Sequence, residues 1–502
     1  MPDINPHLDP QVTNQVLRYL TGARWFAGKG RSPSLLSVTP LPWLTGENEF
    51  VGSSTVPAVR FEVAEVGYPD GPVEYYQLAV SYRSSAHPDL RHAEIGPITI
   101  DDLGPAHAYD ATQDPQACRV ILGALLAGRM LRGPDTSVHF HGESVGRGRS
   151  ETSALTTELE PRVFTGQQSN TSVMFGDVAM LKLFRRLELG RNLDIEVHRA
   201  LNAAGITDVA GLFGWVEGSW VAQSGPGASV LLQADLAMVV EKLADATDGW
   251  VFALDRLSKG LSFASEAESL GRALAGIHAS LHDAFPAGRV LGATTAAVMD
   301  ERLEQAAAIV PDLTPYAKGL RARFDDLSEV TLDVQRVHGD FHLGQTLHTP
   351  NGWKIIDFEG EPVKTMAERV APDSVWRDIA GMLRSFDYAA ASVPNPAGGL
   401  DPQAWADECR AAFLLGYAGG ELSEVDVGLL SAYEADKAIY EVVYETRNRP
   451  DWVAIPLGAI TKLAGPPGPD SASPDNPDQP DPDQPNADQF NPDQFNAEEQ
   501  GR

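Results

Sequence analysis

The chain has 502 residues, of which 43% are hydrophobic, so it is long enough for two to four structural units with sizeable cores. Its 69 acidic residues outnumber its 39 basic ones, and the formal charge of -30 argues against a nucleic acid or an anionic membrane surface as main partner. The two cysteines, Cys118 and Cys409, are too few for a disulfide framework or a cysteine zinc site, so a reducing cytoplasm is expected. No signal-peptide pattern and no apolar run of about 18 residues is found, so no membrane span is expected.

Residues 1–110 are predicted to form an N-terminal domain built on a small, mostly antiparallel sheet. One helix is expected at Gln11–Tyr19, and the basic and aromatic run Arg24–Arg31 follows it. Pro and Gly then separate short strand-like segments, which lie at Ser53–Val63, Val73–Tyr82 and Ile95–Ile100.

Residues 111–240 are predicted to form a second, β-rich unit. An apolar helical pattern over Pro115–Leu131 precedes a polar segment, and a charged helix is expected over about Leu187–Ala203, between two hairpins. This order is that of a five-stranded kinase small lobe in outline. The hairpin strands are predicted at Ser172–Phe175, Val178–Phe184, Ser219–Ser224 and Ser229–Val240.

Residues 241–465 are predicted to be mainly helical, and residues 466–502 to be a disordered acidic tail. The tail holds nine prolines, nine acids and one base, a composition that cannot bury enough apolar surface to fold. Helical periodicity marks Ala264–Leu281, Thr294–Ile309, Leu313–Leu327, Trp376–Ala391, Pro402–Tyr417 and Val425–Asn448.

The stretch His338–Gln345 interrupts the helices with groups suited to proton transfer and metal binding. Transfer of a phosphoryl group to a hydroxyl needs a carboxylate that orients the acceptor and takes its proton, and Asp340 is the candidate. Gln345 follows five residues later, at the spacing where protein kinases place a metal-binding Asn after the base. We predict Asp340 as the base and Gln345 as a metal ligand; a polar turn without catalytic role is the alternative.

A second acidic stretch, Ile355–Glu361, follows the turn Pro350–Gly352. As a strand it would place Asp357, Glu359 and Glu361 on one face, while Phe358 points into the core. Carboxylates so close repel one another unless a cation lies among them, and Mg²⁺ is the natural candidate. Asp357 and Glu359 are therefore predicted metal ligands, with a solvated acidic edge as the alternative.

Lys182 is the single cation in the apolar strand Val178–Phe184. A central strand tolerates a charge badly unless it has a partner, and a phosphate together with a carboxylate would satisfy it. Glu196 in the following helix is the predicted ion-pair partner, and Glu188 is a rival. Just upstream, a turn of small residues that contains Ser169 and ends at Ser172 is expected to cover phosphates.

The last predicted helix has a face suited to a sugar, which offers flat apolar surfaces and many hydroxyls. Tyr440, Tyr444 and Arg447 lie one turn apart on it, Lys437 extends it, and Trp452 follows its end. A helix C-terminus with basic residues favoured by its dipole is the alternative. Two further candidate substrate contacts are His342 and Arg384.

Several motifs of this chain closely resemble those of the bacterial maltokinases, over nearly all of the sequence up to about residue 465. They are far more specific than the His-x-Asp and Asp-x-Glu parts shared by the wider aminoglycoside-phosphotransferase-like group. The motifs are Arg24–Arg31, Gln168–Ser172, Ala246–Trp250, His338–Gln345, Asp357–Glu361, Ala367–Tyr388 and Glu445–Pro450.

This resemblance implies an α+β, bilobal eukaryotic-like kinase fold, with an N-terminal cap subdomain, an intermediate β-rich subdomain and a mainly helical C-terminal lobe. It implies the reaction ATP + maltose → ADP + α-maltose 1-phosphate, feeding α-glucan (glycogen) synthesis, with trehalose synthase as a plausible partner. Asp340 would be the base, Gln345 and Asp357 would hold Mg²⁺ with help from Glu359, and Lys182 would bind ATP phosphates. Met238–Leu243, with Glu241 and Leu243 as contacts, would be the hinge that meets adenine.

Two competing interpretations remain at the level of the sequence. A kinase of another sugar or aminosugar, such as glucosamine, would differ only in the acceptor pocket. A non-catalytic binding module on a kinase fold is a different class of function. It predicts the loss of a metal-binding or base group, whereas Asp340, Gln345, Asp357 and Lys182 are all present.

Overall fold

The structure is a computed structural model that describes residues 10–45, 56–69, 71–101, 103–143, 154–164, 170–225, 228–361 and 364–465. The described residues form two compact units. Unit 1 lies within Met1–Gly205 and Ala210–Ala244, and unit 2 comprises Ile206–Val209 and the described part of Asp245–Phe490. The predicted acidic tail, 466–502, and Ser169 lie outside the described residues.

The first sheet of unit 1 is antiparallel and is covered by the N-terminal helix α1 (Pro10–Gly22), as predicted. Its strand order is β1-β2-β3-β5-β4, with the short β11 paired to β3. Three of its strands, β1, β5 and β11, are not among the predicted ones. The strands are β1 (Ser34–Pro40), β2 (Ala58–Tyr68), β3 (Gly71–Arg83), β4 (Glu94–Ile100), β5 (Gly104–Asp110) and β11 (Arg186–Leu187).

The second sheet of unit 1 has seven antiparallel strands in the order β6-β7-β12-β13-β10-β9-β8, so the expected five were too few. β6 and β8, which have three residues each, and β7 were missed because they lie in or beside polar sequence, where tertiary pairing overrides local preference. The strands are β6 (Met130–Arg132), β7 (Thr136–Gly142), β8 (Pro161–Val163), β9 (Thr171–Phe175), β10 (Ala179–Leu183), β12 (Leu212–Gly225) and β13 (Ala228–Glu241).

Two helices of unit 1 begin at side chains that accept hydrogen bonds from the first free N–H groups of the helix. Asp114 caps α2 (Pro115–Leu126), and Asn192 caps α3 (Leu193–Ala203). α3 therefore begins six residues later than the predicted start at Leu187. α2 packs into the core of the second sheet through residues such as Ile121 and Leu122.

A buried ionic network joins the two sheets within unit 1. The guanidinium of Arg185, which is 1% exposed, donates to the Asp110 carboxylate at 2.6 Å and to the Thr171 hydroxyl at 2.7 Å. Tyr19 donates to the same Asp110 from α1, and Arg83 pairs with Asp114 at 2.8 Å. Since a buried charge is costly without a partner, these pairs favour one arrangement of the two sheets and of the helices that contact them.

Unit 2 is built mainly from helices, and the predicted helices appear close to their expected bounds. Not predicted were α4, α8, α12 and the two-stranded sheet of β15 (Gly288–Leu291) and β16 (Thr331–Val334). The helices are α4 (Gly249–Ser258), α5 (Ala264–Ala284), α6 (Gly292–Ile309), α7 (Ala317–Ser328), α8 (Met366–Val370), α9 (Trp376–Ser392), α10 (Pro402–Ala418), α11 (Glu424–Asn448) and α12 (Ala454–Ala464).

A small sheet interrupts these helices and carries the predicted catalytic segment. β17 (Thr346–Thr349) and β18 (Gly352–Ile355) form a hairpin, and β14 (Thr247–Asp248) pairs with β17. The turn predicted at Pro350–Gly352 is therefore confirmed, with Gly352 in the left-handed region at φ 98°. Among the helices of the described ranges, none combines the length and hydropathy that crossing a membrane would require.

Close packing of α5 against α10 depends on glycine and gives a stability prediction. A Cβ added at Gly271 of α5 would overlap the carbonyl oxygen of Phe413 in α10. We expect Gly271→Ala to lower the free energy of unfolding by about 1–3 kcal/mol, because overpacking a close contact forces the helices apart. Urea unfolding measures this change.

Gly276→Ala is the matched control, because it lies on the same helix with nothing within 4 Å of an added Cβ. It should leave stability unchanged or raise it by up to about 1 kcal/mol through helix propensity. Equal effects of the two substitutions would contradict the packing argument.

Candidate functional site

The residues predicted to bind phosphate lie in unit 1, around Lys182 at the centre of the second sheet. β10 runs between β9 and β13, and Lys182 is directly opposite Ser172 on one side and Met238 on the other. Cross-strand partners share a face, so Ser172 and Lys182, both predicted to contact phosphate, lie side by side. The ammonium of Lys182 is 3.2 Å from the Asp194 carboxylate.

Asp194, which contacts Lys182, was not predicted as its partner. It lies in the first turn of α3, is 4% exposed, and also contacts His198 Nδ1 at 3.1 Å. Burial alone would raise the pKa of Asp194, but Lys182 and His198 hold that pKa far below its ordinary value. Glu196, the predicted partner of Lys182, lies half-buried two residues later on α3. The late start of α3, set by the Asn192 cap, brings Asp194 to the strand.

The residues of the predicted adenine hinge lie at the end of β13 and just after it. Glu241 ends β13, and its side chain accepts a hydrogen bond from the Gly211 N–H at 3.2 Å. Leu243 packs against the apolar core of the second sheet. The N–H groups of Glu241 and Lys242 donate to the carbonyls of Gly211 and Val178, so neither N–H group can donate to an adenine base without breaking that bond.

In unit 2, the loop of Asp340 is held by one buried carboxylate, that of Asp378 on α9. Asp378 is 0% exposed and accepts hydrogen bonds from the N–H groups of His338 at 2.7 Å and Gly339 at 2.8 Å. His278 Nε2 lies 2.9 Å from the same carboxylate. Burial would raise the pKa of Asp378, but His278, His338 and the Gly339 N–H hold it below its ordinary value. The loop backbone is therefore fixed from the helical core.

Asp340 itself lies at the end of this fixed segment, where its side chain is 17% exposed. Gly339 before it has φ 87°, a conformation that favours glycine, and Phe341 after it is buried. The Lys437 ammonium of α11 is 3.8 Å from the Asp340 carboxylate and 5.1 Å from the centre of the Tyr440 ring. The structure thus brings the predicted base together with two predicted acceptor residues.

The β17–β18 hairpin brings the predicted metal ligands Gln345 and Asp357 close together. Ile356 N–H donates to the Gln345 carbonyl at 3.0 Å, directly before Asp357. Gln345 is 3% exposed, and Asp357 has a left-handed backbone with φ 67°. Carboxylate and amide oxygens are the donors that Mg²⁺ prefers, so the residues present fit this ion.

The expectation that Asp357, Glu359 and Glu361 share one strand face is wrong, because β18 ends at Ile355 and the left-handed turn at Asp357 redirects the chain. Phe358 is buried, as predicted. The Glu359 carbonyl accepts from Arg369 at 3.1 Å.

Glu361 is not part of an acidic metal cluster, because its charge is balanced inside the protein. It is 6% exposed, lies 2.8 Å from the Arg377 guanidinium and is 3.7 Å from the Lys364 ammonium. Burial, the charge of Glu361 and a hydrogen bond to it raise the pKa of Tyr440. Glu361 thereby links the segment of the predicted metal ligands Asp357 and Glu359 to Tyr440 on α11.

The predicted acceptor residues form two aromatic pairs at the end of α11. Tyr440 and Tyr444 stack at 6.3 Å between ring centres, and Trp452 stacks on Tyr388 at 6.1 Å. The Arg449 guanidinium lies 5.4 Å from the rings of both Tyr444 and Trp452, which joins the pairs. Arg447 is exposed on the same helix.

Two predicted substrate contacts have other surroundings than expected. Arg384 is 2% exposed, and its guanidinium binds the carboxylates of Glu441 at 2.9 Å and Asp387 at 2.7 Å. This burial contradicts a direct substrate contact; Arg384 instead ties α9 to α11. His342 is half-buried, and its Nδ1 accepts from the Gly344 N–H at 3.1 Å, which shapes the turn before Gln345.

Three residues that contact the predicted site were not predicted as part of it: Asp194, Asp378 and Arg377. Asp378 had a signal, because it is a lone carboxylate among the apolar residues of Trp376–Phe386. A charge at such a position needs buried partners, and it finds them in the catalytic loop. Arg377, which donates to the Gly339 carbonyl at 3.2 Å as well as to Glu361, had no such signal.

Comparison with known families finds two matches along the chain. Residues 19–114 match the maltokinase N-terminal cap domain, and residues 166–414 match the phosphotransferase enzyme family. The second match includes Lys182, Asp340, Gln345 and Asp357.

Curated relatives and solved structures give matches over most of the chain. A glucosamine kinase of Streptacidiphilus jiangxiensis is 29% identical over 74% of this chain and 93% of its own length. A glucosamine kinase of Mycolicibacterium smegmatis is 28% identical over 62% of this chain and 81% of its own length. A solved glucosamine kinase in complex with glucosamine, ADP and inorganic phosphate matches with a TM-score of 0.61, at 20% identity, over 89% of this chain and 98% of that structure. This last likeness shows that the chain has the phosphotransferase kinase fold.

The role of Asp378 predicts the effect of a single amide substitution. Asp378→Asn keeps the size of the side chain but replaces one carboxylate oxygen with an NH₂ group. In the wild type, the surrounding donors face a carboxylate oxygen at that position. We expect a loss of about 1–3 kcal/mol in the free energy of unfolding at neutral pH, because buried donors lose their acceptor. Hydrogen exchange should show the amides of His338 and Gly339 losing protection first.

The pH dependence of this difference follows from the lowered pKa of Asp378. The charged form stabilises the fold above the ordinary carboxyl pKa of about 3.9, and this contribution is lost as the pH falls through the lower native value. The difference in the free energy of unfolding between the wild type and Asp378→Asn should therefore become smaller at acidic pH. Asp333→Asn, at a 78% exposed carboxylate, is the control and should change little. A difference in the free energy of unfolding that does not change with pH would contradict the stabilising role of the charged Asp378 carboxylate.

Proposed function

Because the chain belongs to the phosphotransferase family and carries a maltokinase-type N-terminal cap domain, we propose that it phosphorylates maltose at the anomeric hydroxyl with ATP. The products are ADP and α-maltose 1-phosphate. The observation that carries the reaction type is the arrangement in unit 2. There one hairpin joins Gln345 to Asp357, and Asp378 holds the loop of Asp340.

In this proposal Asp340 accepts the proton of the anomeric hydroxyl as its oxygen forms a bond to the γ-phosphorus. The bond between that phosphorus and the bridging oxygen breaks, and its electron pair leaves with ADP. Lys182, oriented by Asp194, binds the ATP phosphates. Gln345 and Asp357, with Glu359, would hold Mg²⁺, which supplies neutralisation of the phosphate charge when bound. Ser172, Glu241 and Leu243 complete the nucleotide contacts.

The carboxylates of α11 that neighbour the predicted acceptor residues are already paired, which supports a neutral sugar. Glu445 lies 2.9 Å from the Arg449 guanidinium and accepts a hydrogen bond from Tyr388 at 3.0 Å. Glu441 is likewise paired with Arg384. Carboxylates so engaged are poor partners for an ammonium group, since the existing pair would have to break.

The aromatic pairs at the end of α11 support an acceptor with more than one ring. Tyr440 and Tyr444 offer one stacked surface and Trp452 with Tyr388 another, and Arg449 links the two. Tyr and Trp rings provide flat apolar contact area with a polar edge for hydroxyl groups. A disaccharide such as maltose would use both surfaces, with Lys437 and Tyr440 near the reacting hydroxyl.

Glucosamine is the second candidate acceptor, because both curated relatives described above are glucosamine kinases. The resemblance to maltokinases also suggests a cytoplasmic role in α-glucan synthesis and a complex with trehalose synthase. These wider roles rest on that resemblance alone.

An acceptor screen tests the choice of sugar. The full chain is incubated with ATP, MgCl₂ and maltose, glucosamine, glucose or trehalose, and ADP release is measured. We expect the highest kcat/KM with maltose, and ³¹P–¹H correlation should locate the new phosphate on the anomeric carbon. Turnover of glucosamine without turnover of maltose would overturn the acceptor but leave the sugar kinase reaction intact.

The role of Asp340 is tested by Asp340→Asn. General-base catalysis contributes typically about 10²–10⁴-fold, so kcat should fall by that factor while the KM for ATP stays nearly constant. Asp333→Asn serves as the matched control for an Asp-to-Asn change in the same unit. An Asp340→Asn enzyme with full kcat would rule out Asp340 as the base.

A further inference from the structure

A cluster of metal-binding side chains lies in unit 1, on residues that the proposed phosphoryl transfer does not use. It consists of His139, His141 and Glu217, each half-buried. One ligand atom from each residue lies within 4.8 Å of the others. Neither the family matches nor the resemblance described above assigns a role to these residues.

Strand pairing brings the three side chains to one face of the second sheet. Val138 and Phe140 of β7 point into the apolar core, so the alternating His139 and His141 point to the other face. Glu217 of β12 is directly opposite His139. The two imidazole rings lie 3.6 Å apart between their centres.

A neighbouring aromatic side chain fixes the orientation of one imidazole. Trp215 is opposite His141 in the strand register, and the two rings stack at 4.5 Å with an angle of 6° between their planes. Trp215 is 4% exposed, so it offers a rigid surface. A metal ligand held in this way loses little side-chain entropy when it binds.

Polar atoms without partners point to a ligand at this place. His141 Nε2 is buried and makes no hydrogen bond to any residue within the described ranges. Asp235 on the next strand is opposite Glu217, and its buried Oδ1 likewise has no partner among those residues. Buried polar atoms are normally satisfied, so two such atoms beside one cluster indicate a missing partner.

The charges around the cluster leave Glu217 available. The Arg191 guanidinium is 3.6 Å from Glu217 but is 44% exposed, and such surface pairs are weak and exchange readily with solvent. Arg199 lies over the Trp215 ring at 4.5 Å and is 3.5 Å from Glu143. A cation bound by Glu217 would replace the contact with Arg191.

We propose that His139, His141 and Glu217 form a Zn²⁺ site, with one position left open for water. Two imidazoles and one carboxylate are a ligand set typical of four-coordinate zinc, whereas Mg²⁺ prefers oxygen ligands alone. The site crosslinks β7 to β12 and stabilises the second sheet. It is independent of the proposed reaction and of the oxygen ligands Gln345 and Asp357.

Calorimetry on the full chain tests the site. The tag-free protein is stripped with a chelator and titrated with Zn²⁺ in excess MgCl₂. We expect one Zn²⁺ per chain, a rise in melting temperature, and tighter binding at higher pH because the imidazoles must be neutral. Co²⁺ in the same site should give the visible absorption of a tetrahedral ion.

Two variants and a control make the result specific. Changes outside the first ligand shell already cost about 10–100-fold in metal affinity, so His139→Gln and Glu217→Gln should each weaken Zn²⁺ binding by at least about tenfold. His282→Gln, at a 59% exposed histidine in unit 2, should bind Zn²⁺ like the wild type. Metal-free melting curves check that each variant folds, and either variant alone suffices if the other does not.

Three outcomes would overturn the proposal. These are no Zn²⁺ bound above the Mg²⁺ background, binding unchanged in both ligand variants, or an equal loss in His282→Gln. Activity is not the readout, so failure of the proposed sugar kinase reaction would not affect the result.

Discussion

The buried carboxylate of Asp378 is the constraint on which the catalytic segment depends. A carboxylate with 0% exposure is stable only if its oxygens are fully hydrogen-bonded, and here the donors come from His338, Gly339 and His278. His278 also contacts the Tyr417 hydroxyl at 2.9 Å, and its carbonyl accepts from Gln335 at 2.7 Å. Through these contacts α5, α9 and α10 together determine where the backbone before Asp340 lies. The hydrogen bonds of the Asp378 carboxylate therefore both stabilise the helical core and position the proposed base.

Carboxylates paired with arginines recur in the interior of the described part of this chain, whose formal charge is -30. Asp110, Glu361 and Glu441 are each paired with a guanidinium in the interior. Such pairs contribute little net stability but specify one arrangement, since removing either partner leaves a buried charge. Lys182 in unit 1 and Lys437 in unit 2 are half-buried cations, and each contacts a carboxylate, that of Asp194 and that of Asp340 respectively.

Local patterns in the sequence predicted the strands, helices and loops whose form depends on residues close together in the chain. The strand of Lys182, the helix of Tyr440 and the loop of Asp340 have clear periodicity or fixed spacing, and the structure has each of them. Pairings across the fold were not predictable in this way. Glu361 was taken for a metal-facing carboxylate because its partner Arg377 is sixteen residues away, and Arg384 was taken for a substrate contact because its partner Glu441 is on another helix. Helix caps such as Asn192, which decides that Asp194 reaches Lys182, also went unrecognised.

The backbone of Asp357 shows why the segment after β18, which carries the predicted metal ligands, is a turn and not a strand. Its φ of 67° lies in the left-handed region, which Asp tolerates better than most residues but which still costs about 1 kcal/mol or more. Glycine would remove that cost and would lose the carboxylate. The conformation persists because the Ile356–Gln345 hydrogen bond and the burial of Phe358 hold the chain on both sides. A non-glycine residue kept in such a conformation by its surroundings is expected where its side chain is needed, and the oxygen donors of Asp357 and Gln345 are the groups this turn brings together.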